Sequence, residues 1–426
     1  MSVAPWPPGG SRAQALLSNL VGALVFLALA CLFLDRSLSG NLISAVAVIG
    51  LVLLAVRRDL DHTDLQFLLV VAVLPLMYLV NMLIHGFGGS ILGRPARLLI
   101  GFLAFYAVRR SALPGTLFFD GCATGAIAAG LIAMSEVELQ DAERADATWN
   151  AVPFGNYSLL LGVLLLCALL AHRVRPPVRL GGYLAGVAMA AVALALSRTR
   201  GSWVAVPVLS YLLSHAHAGI RGRTRAAVAV AVLVAAIAVA SVSAGLQARL
   251  RLAVDDVAAY LAAPHSLQAL DTPVGLRLGM WRWGLERFAA HPIVGIGLVN
   301  YGEQRRESVT RGEMPQQFLT MANVHNQLIH FLAVGGVLMG SALVVFWVLA
   351  ARFFLTRMRT GPPDGLERAL PLAGLCIIVG TGLFSMSGAL FGTGPDTWAF
   401  AILLCMAAAF TTARTDGSPH TAAKAA

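Results

Sequence analysis

Long apolar runs, separated mostly by short polar connections, dominate the pattern of this chain. A window of about 19 residues finds about twelve runs that could cross a bilayer as helices. They cover roughly residues 16–34, 39–56, 65–83, 93–108, 117–135, 153–171, 180–197, 202–214, 226–244, 325–350, 369–388 and 395–412. The pattern therefore predicts an all-α polytopic integral membrane protein with about twelve transmembrane helices.

One long polar segment, roughly residues 245–324, separates the ninth and tenth runs. Within it, "GLRLGMWRWGLERFAAHPIVGIG" predicts an amphipathic helix followed by a proline-glycine turn. We divide the chain into residues 1–179 with the first six spans, residues 180–350 as a core that includes the long segment, and residues 351–426 with the last two spans and a tail.

Arginine positions set the predicted orientation, because basic residues in short connections resist translocation. Every second connection is rich in arginine and is assigned to the cytoplasm. These connections contain Arg57 and Arg58; Arg109 and Arg110; Arg173, Arg175 and Arg179; Arg221, Arg223 and Arg225; and Arg352, Arg357, Arg359 and Arg368. Both termini are then cytoplasmic, and the long polar segment lies outside.

Composition supports this picture and excludes other classes of protein. The chain is 58% hydrophobic and 12% charged, with mean hydropathy +0.76, so its apolar surface exceeds what one water-soluble core needs. The net charge of +10 is mainly a topology signal, and we expect no nucleic-acid binding. We find no P-loop, no metal-binding histidine pair and no disulfide or zinc spacing among the five cysteines, so no cofactor or metal is expected.

Two arginines mark the junction of the seventh and eighth runs, in "ALALSRTRGSWVAV". Residues two apart on a helix point in nearly opposite directions, but the Ser, Thr and Gly around Arg198 and Arg200 permit a helix break. Both side chains could then face one cavity at the outer boundary. The alternative is that they reach toward lipid phosphates, which applies more to Arg198 than to Arg200.

The predicted loop helix contains two further candidates. Arg277 shares a stripe with apolar side chains, Trp281, Leu285 and Phe288, and is favoured as a ligand-binding residue over packing on an aromatic ring. Arg282 lies four residues before Glu286, where an ordinary surface ion pair explains it.

The stretch "MANVHNQLIHFLAVGG" places His325 and Asn326 at the outer start of the tenth run. A helix N-terminus disfavours imidazolium, so we expect a neutral His325 that can accept a proton. His330 points elsewhere and is interpreted as a packing or hydrogen-bonding residue. A structural role is the alternative for His325 too, but arginines from two other segments are predicted on the same face.

Arginines together with a neutral histidine suit a phosphate-bearing substrate that is attacked by a hydroxyl. The guanidinium groups would bind a diphosphate and stabilise it as it leaves, while the histidine takes the proton of the nucleophile. Asp396, in "GTGPDTW", is a weaker candidate for binding sugar or orienting an arginine, and a capping role is equally consistent with its position.

The motifs "SRTRGSW", "GLRLGMWRWGLERFAAHPIVGIG" and "NVHNQLIHFLAVGG", in this order, resemble the shared core of O-antigen ligases, O-antigen polymerases and related protein O-oligosaccharyltransferases of Gram-negative bacteria. The resemblance covers roughly residues 180–350 and implies a glycosyltransferase architecture of the GT-C kind. The doubled arginine departs from a simpler serine-arginine-glycine form, so the division of roles between Arg198 and Arg200 stays open.

The resemblance implies a metal-independent enzyme of the bacterial inner membrane that works at its periplasmic face. The donor would be a glycan on undecaprenyl diphosphate and the acceptor lipid A core oligosaccharide. By residue type, His325 corresponds to the family's histidine, and Arg200 and Arg277 to its arginines. A polymerase that joins two lipid-linked repeats is the nearest alternative, and a flippase for lipid-linked sugars is the alternative from another class.

Overall fold

The computed structural model describes residues 12–35, 37–147, 149–174, 176–199, 201–216, 222–225, 227, 230–231, 244–391 and 394–413. Its first eight helices are α1 Arg12–Ala30, α2 Leu38–Arg57, α3 His62–His85, α4 Gly89–Arg110, α5 Thr116–Met134, α6 Ala151–Ala171, α7 Pro177–Leu196 and α8 Ala205–Leu213. The others are α9 Ala244–Ala262, α10 Leu267–Leu270, α11 Pro273–Ala290, α12 Tyr301–Thr310, α13 Gln327–Thr360, α14 Leu366–Phe384 and α15 Gly394–Thr412. The described residues contain no strand, which confirms the all-α prediction.

Ten of these helices are long and apolar enough to cross a membrane, namely α1 to α7 and α13 to α15. The protein is therefore a multi-pass membrane protein. The predicted eighth span, 202–214, differs: α8 has 9 residues between short 3-10 turns, a rise of about 14 Å against roughly 30 Å of hydrocarbon. The predicted ninth span, 226–244, lies largely outside the described residues, so the count of twelve stays a prediction.

The helices of the three predicted segments interleave in one bundle. α3 packs on α13, α4 on α15 and α6 on α14, so helices from both ends of the chain share a core. Small residues permit close approach: a Cβ at Gly50 of α2 would be 1.9 Å from the backbone oxygen of Leu103 in α4. The central helices α6, α14 and α15 are mostly buried, whereas α1, α2 and α7 expose most of their surface.

The turn after α11 enters the side of α13, where that helix is broken at Gly336 (φ 59°). The N–H groups of Ile296 and Gly297 donate to the carbonyls of Ala333 and Val334, both at 2.9 Å. A Cβ at Gly336 would be 2.3 Å from the backbone of Ile293, so only glycine fits this crossing. The predicted proline-glycine turn thus ties α11 to the helix that follows His325.

The first turn of α3 and the last turn of α4 form an ion-pair cluster, which we call the α4 C-terminal clamp. Arg109 pairs with Asp61 at 3.0 Å and also with Asp64, while Arg110 pairs with Asp64 at 2.7 Å and with Asp59 at 3.7 Å. Asp64 is 0% exposed, and Asp61 and Asp64 also cap α3 reciprocally. The clamp lies at the predicted cytoplasmic end of the bundle.

Candidate functional site

His325 lies directly before α13, in a backbone conformation that is uncommon for residues other than glycine. Its φ is 53°, in the left-handed region, and its N–H donates to Asn323 Oδ1 at 2.9 Å. Non-glycine residues in this region are uncommon and cluster at functional sites. The strain is held by Asn326, whose side chain caps α13 by accepting from the Ile329 N–H at 3.1 Å.

The loop between α14 and α15, described for residues 385–391, is hydrogen-bonded to the segment that contains His325. Asn326 Nδ2 donates to the Met386 carbonyl at 3.3 Å, and the Gln327 N–H donates to the Ser385 carbonyl at 2.9 Å. The Asn326 side chain therefore positions the start of α13 against this loop. A loop that sequence analysis did not select thus fixes the segment that contains His325.

The electrostatics around His325 favour its neutral form. Burial lowers the pKa of His325 below its usual value of 6.5, the positive charge of Arg277 lowers it further, and a hydrogen bond to the Ser387 backbone opposes both. Its Nε2 lies 3.2 Å from the sulfur of Met321, a group with no N–H or O–H proton to donate. The imidazole is therefore suited to accept a proton near neutral pH.

Arg277 projects from the exposed side of α11 and acts electrostatically on His325. Its Nη1 donates a long hydrogen bond to the Pro273 carbonyl at 3.4 Å. The apolar stripe that contains Arg277 is not the buried face of the helix: that face contains Leu276, Met280 and Trp283. Three glycines lie beside them and admit neighbouring side chains, so the packed face of α11 differs from the stripe that side-chain hydrophobicity marks.

Arg282 has the contacts of a structural residue. It forms the expected pair with Glu286 at 3.4 Å and donates to the Pro264 carbonyl. It also lines a cavity of about 360 Å³ between α11 and the turn at Gly312, apart from His325. These contacts suit a structural role for Arg282.

The residue that follows the serine-arginine motif, Gly201, lies close to the same loop that contacts His325. A Cβ at Gly201 would be 3.1 Å from Ser387 Oγ, and Ser387 bonds to the His325 ring through its backbone. Arg200 itself lies outside the described residues. Arg198 has φ 51° and an exposed carboxylate partner, Glu143, at 3.7 Å.

Asp396 lies in the first turn of α15 and is 9% exposed. Its backbone carbonyl accepts a hydrogen bond from Tyr157 Oη at 2.9 Å, which anchors α15 to α6. A nearly buried position suits orientation of neighbouring groups better than direct contact with an acceptor sugar.

Two further arginines lie near His325 or its supporting loop, residues 385–391, and neither was a predicted site residue. Arg94 in α4 donates to the Phe391 carbonyl at 3.4 Å. Arg305 in α12 donates to the carbonyl of Met321, whose sulfur contacts His325. The signal for Arg94 was an arginine inside an otherwise apolar run, "ILGRPARLL".

Comparison with known proteins gives a family match for part of the chain. A family model described as O-antigen ligase matches residues 184–345, the part of the chain that contains Gly201, α11 and His325. A Haemophilus influenzae protein described as uncharacterized is 20% identical over 346 residues, covering 80% of this chain and 86% of the relative. Residues 184–345 of this multi-pass membrane protein are therefore similar to the O-antigen ligase family.

Proposed function

We propose that the protein transfers a polysaccharide from undecaprenyl diphosphate to lipid A core oligosaccharide at the outer face of the bacterial inner membrane. The match of residues 184–345 to the O-antigen ligase family model supports ligase- or polymerase-type chemistry. The observation that carries the proposal is the half-buried His325 within the matched region, whose pKa is lowered by burial and by the positive charge of Arg277.

The proposed reaction is a direct displacement. A hydroxyl oxygen of the acceptor forms a bond to the anomeric carbon while the bond from that carbon to the diphosphate oxygen breaks, which inverts the anomeric configuration. His325 takes the proton of the hydroxyl, and the diphosphate leaves with the electron pair. Arg277, with Arg200 as the family resemblance implies, binds the negative charge that develops on the leaving group.

The supporting residues keep the proton acceptor in place. Asn326 caps α13 and bonds to the loop below, and Asn323 holds the backbone of His325 in its left-handed conformation. We assign both as positioning residues. Their loss should lower the transfer rate through displacement of the imidazole, by less than the loss of the imidazole itself.

The test is a reconstituted transfer reaction with the full chain in lipid, undecaprenyl-diphosphate glycan as donor and lipid A core as acceptor. We expect His325→Ala to lower the rate by roughly 10²–10⁴-fold, the usual contribution of a general base. His291→Ala is the matched control, because His291 is an exposed histidine at the end of α11. A chelator should leave the wild-type rate unchanged, since arginines supply the positive charge.

Product analysis separates the alternatives. A longer glycan on the donor lipid, with no glycosylated core, would identify a polymerase. Movement of the donor lipid across the bilayer without any new glycosidic bond would identify a flippase. Normal transfer by a folded His325→Ala variant would show that His325 is not the proton acceptor, whichever acceptor the enzyme uses.

A further inference from the structure

Beside the His325 site, the first turns of α13 contain buried polar atoms that the proposed mechanism does not use. Gln327 is 1% exposed, and its Oε1 accepts from the Phe391 N–H at 3.0 Å. Its Nε2 has no hydrogen-bond partner among the described residues. His330, one turn further along the same face, is 8% exposed, and its Nδ1 is likewise without a partner there.

Tyr301, from α12, adds a third such atom to the same place. Its ring lies perpendicular to the His330 ring with centroids 5.0 Å apart, and its buried hydroxyl has no partner in the described part of the chain. Buried polar atoms are nearly always hydrogen-bonded, so three unpartnered atoms in adjacent side chains indicate that water or a polar ligand belongs there.

Positive charge approaches this group from two sides. The Arg94 guanidinium lies near enough to His330 for its charge to act on that ring, and its hydrogen bond within the described residues is to the Phe391 carbonyl. Arg305 lies over the Tyr301 ring at 5.7 Å. Neither arginine has a carboxylate within ion-pair distance among the residues that the structure describes.

Charge and unpartnered donors together select the ligand. A neutral sugar would satisfy the hydrogen bonds but leave two arginine charges uncompensated at a partly buried position. A phosphate group supplies oxygen acceptors for Tyr301 and Gln327 and negative charge for the guanidinium groups. Water is the competing explanation, because it would satisfy the unpartnered polar atoms. It would not neutralise the two arginine charges.

We propose that Arg94, Arg305, Tyr301, Gln327 and His330 form a second site, the Arg94 site, that binds a phosphate group carried on a lipid. Phe391 connects this site to the first: its carbonyl accepts from Arg94 and its N–H donates to Gln327, two residues after His325. The phosphate would therefore be held next to the reacting groups. Only the naming of that lipid as a substrate rests on the proposed function.

Three lipids can supply such a phosphate, and a binding experiment on the full chain in detergent distinguishes them. The probes are geranylgeranyl diphosphate for the donor head, a bisphosphorylated lipid A for the acceptor, and phosphatidylglycerol for an ordinary membrane headgroup. Dissociation constants are measured by native mass spectrometry for wild type, Arg94→Gln and Tyr301→Phe. Arg352→Gln is the matched control, because it removes one exposed arginine from the far part of α13.

We expect Arg94→Gln to weaken binding of one of the three lipids about tenfold or more, the effect of losing a charge-assisted hydrogen bond. Tyr301→Phe should weaken the same lipid by a smaller factor, and Arg352→Gln should leave all three unchanged. The lipid that responds identifies the source of the phosphate. Arg94→Lys keeps the charge but not the forked geometry, so its affinity should fall between those of wild type and Arg94→Gln.

Unchanged affinity for all three lipids in Arg94→Gln and Tyr301→Phe would overturn the Arg94 site in favour of buried water. If Arg94→Gln does not fold, Tyr301→Phe decides, since it removes one oxygen and keeps the ring. These measurements need no transfer and are repeated in His325→Ala, so they stand whether or not the proposed function does. Failure of the transfer reaction alone leaves the binding result intact.

Discussion

The two ends of α4 place arginine pairs in opposite electrostatic surroundings. At the C-terminal end, Arg109 and Arg110 share the carboxylates of the α4 C-terminal clamp, and burial without those partners would be costly. At the N-terminal end, Arg94 and Arg97 donate to backbone carbonyls, and no carboxylate lies within ion-pair distance in the described ranges.

This difference separates two uses of arginine that composition does not distinguish. A guanidinium neutralised by buried carboxylates holds helices together and contributes little field outside. A guanidinium that, among the described residues, hydrogen-bonds to a carbonyl rather than to a carboxylate, as Arg97 does to Gly394 at 2.7 Å, keeps its charge available to an anion. His325 and the Arg94 site both lie at the end with the available charge.

The largest effect is expected from breaking the clamp. Asp64→Ala should lower the free energy of unfolding by about 3–5 kcal/mol, because two partly buried arginines lose the buried carboxylate they share. Thermal unfolding in detergent measures it, with Asp364→Ala as control, since Asp364 is an exposed carboxylate between α13 and α14. Equal melting temperatures for the two variants would show that the clamp does not stabilise the fold.

A smaller effect on stability is expected at the other end of α4. Arg94→Gln should change the free energy of unfolding by less than about 1 kcal/mol, because it removes a long bond to a carbonyl and leaves no buried carboxylate unpaired. Arg109→Gln is the paired comparison and should lose several times more. Similar losses from both variants would contradict the distinction between the two ends.

The smallest effect is a change in pH dependence. The pKa of His325 is lowered by burial and by Arg277, so the transfer rate should fall only at pH values below about 6.5, the ordinary histidine value. Removal of the positive neighbour favours imidazolium, so Arg277→Gln should move the acid limb upward, toward that value. The readout is the midpoint of the limb rather than the maximal rate.

Arg282→Gln is the matched control for this shift, because the Arg282 charge is paired with Glu286 and does not act on His325. An acid limb that moves equally in both variants would report a general loss of positive charge. An acid limb that moves in neither variant would show that the Arg277 charge does not affect the protonation of the proton acceptor.

Several features were predictable because they depend on local pattern. Apolar runs gave most of the spanning helices, and three motifs in order gave the family that the comparison of residues 184–345 confirms. The neutral state of His325 was expected from a helix N-terminus, but the structure assigns it chiefly to burial and to Arg277. The lowered pKa of His325 thus agrees in direction with the expectation, but its main cause is burial rather than the helix N-terminus.

Other features were not readable because they depend on contacts between distant segments. Ser387 and Phe391 are unremarkable in sequence, yet their loop bonds to both the His325 segment and α4. Side-chain hydrophobicity placed Arg277 on an apolar stripe of α11, whereas the packed face is the one that contains the glycines. Glycine scores weakly as an apolar residue although it permits the closest contacts.

The sequence by itself determined the class of protein, its helical spans and the residue types of its candidate chemistry, because hydrophobic length and local motifs are properties of neighbouring residues. The tertiary structure decided which arginines are neutralised and which keep their charge. That outcome depends on whether a carboxylate from another helix comes within a few ångströms, as Asp64 does for Arg109 and none does for Arg94 in the described part of the chain. Burial and the partner together, rather than the arginine alone, set its role.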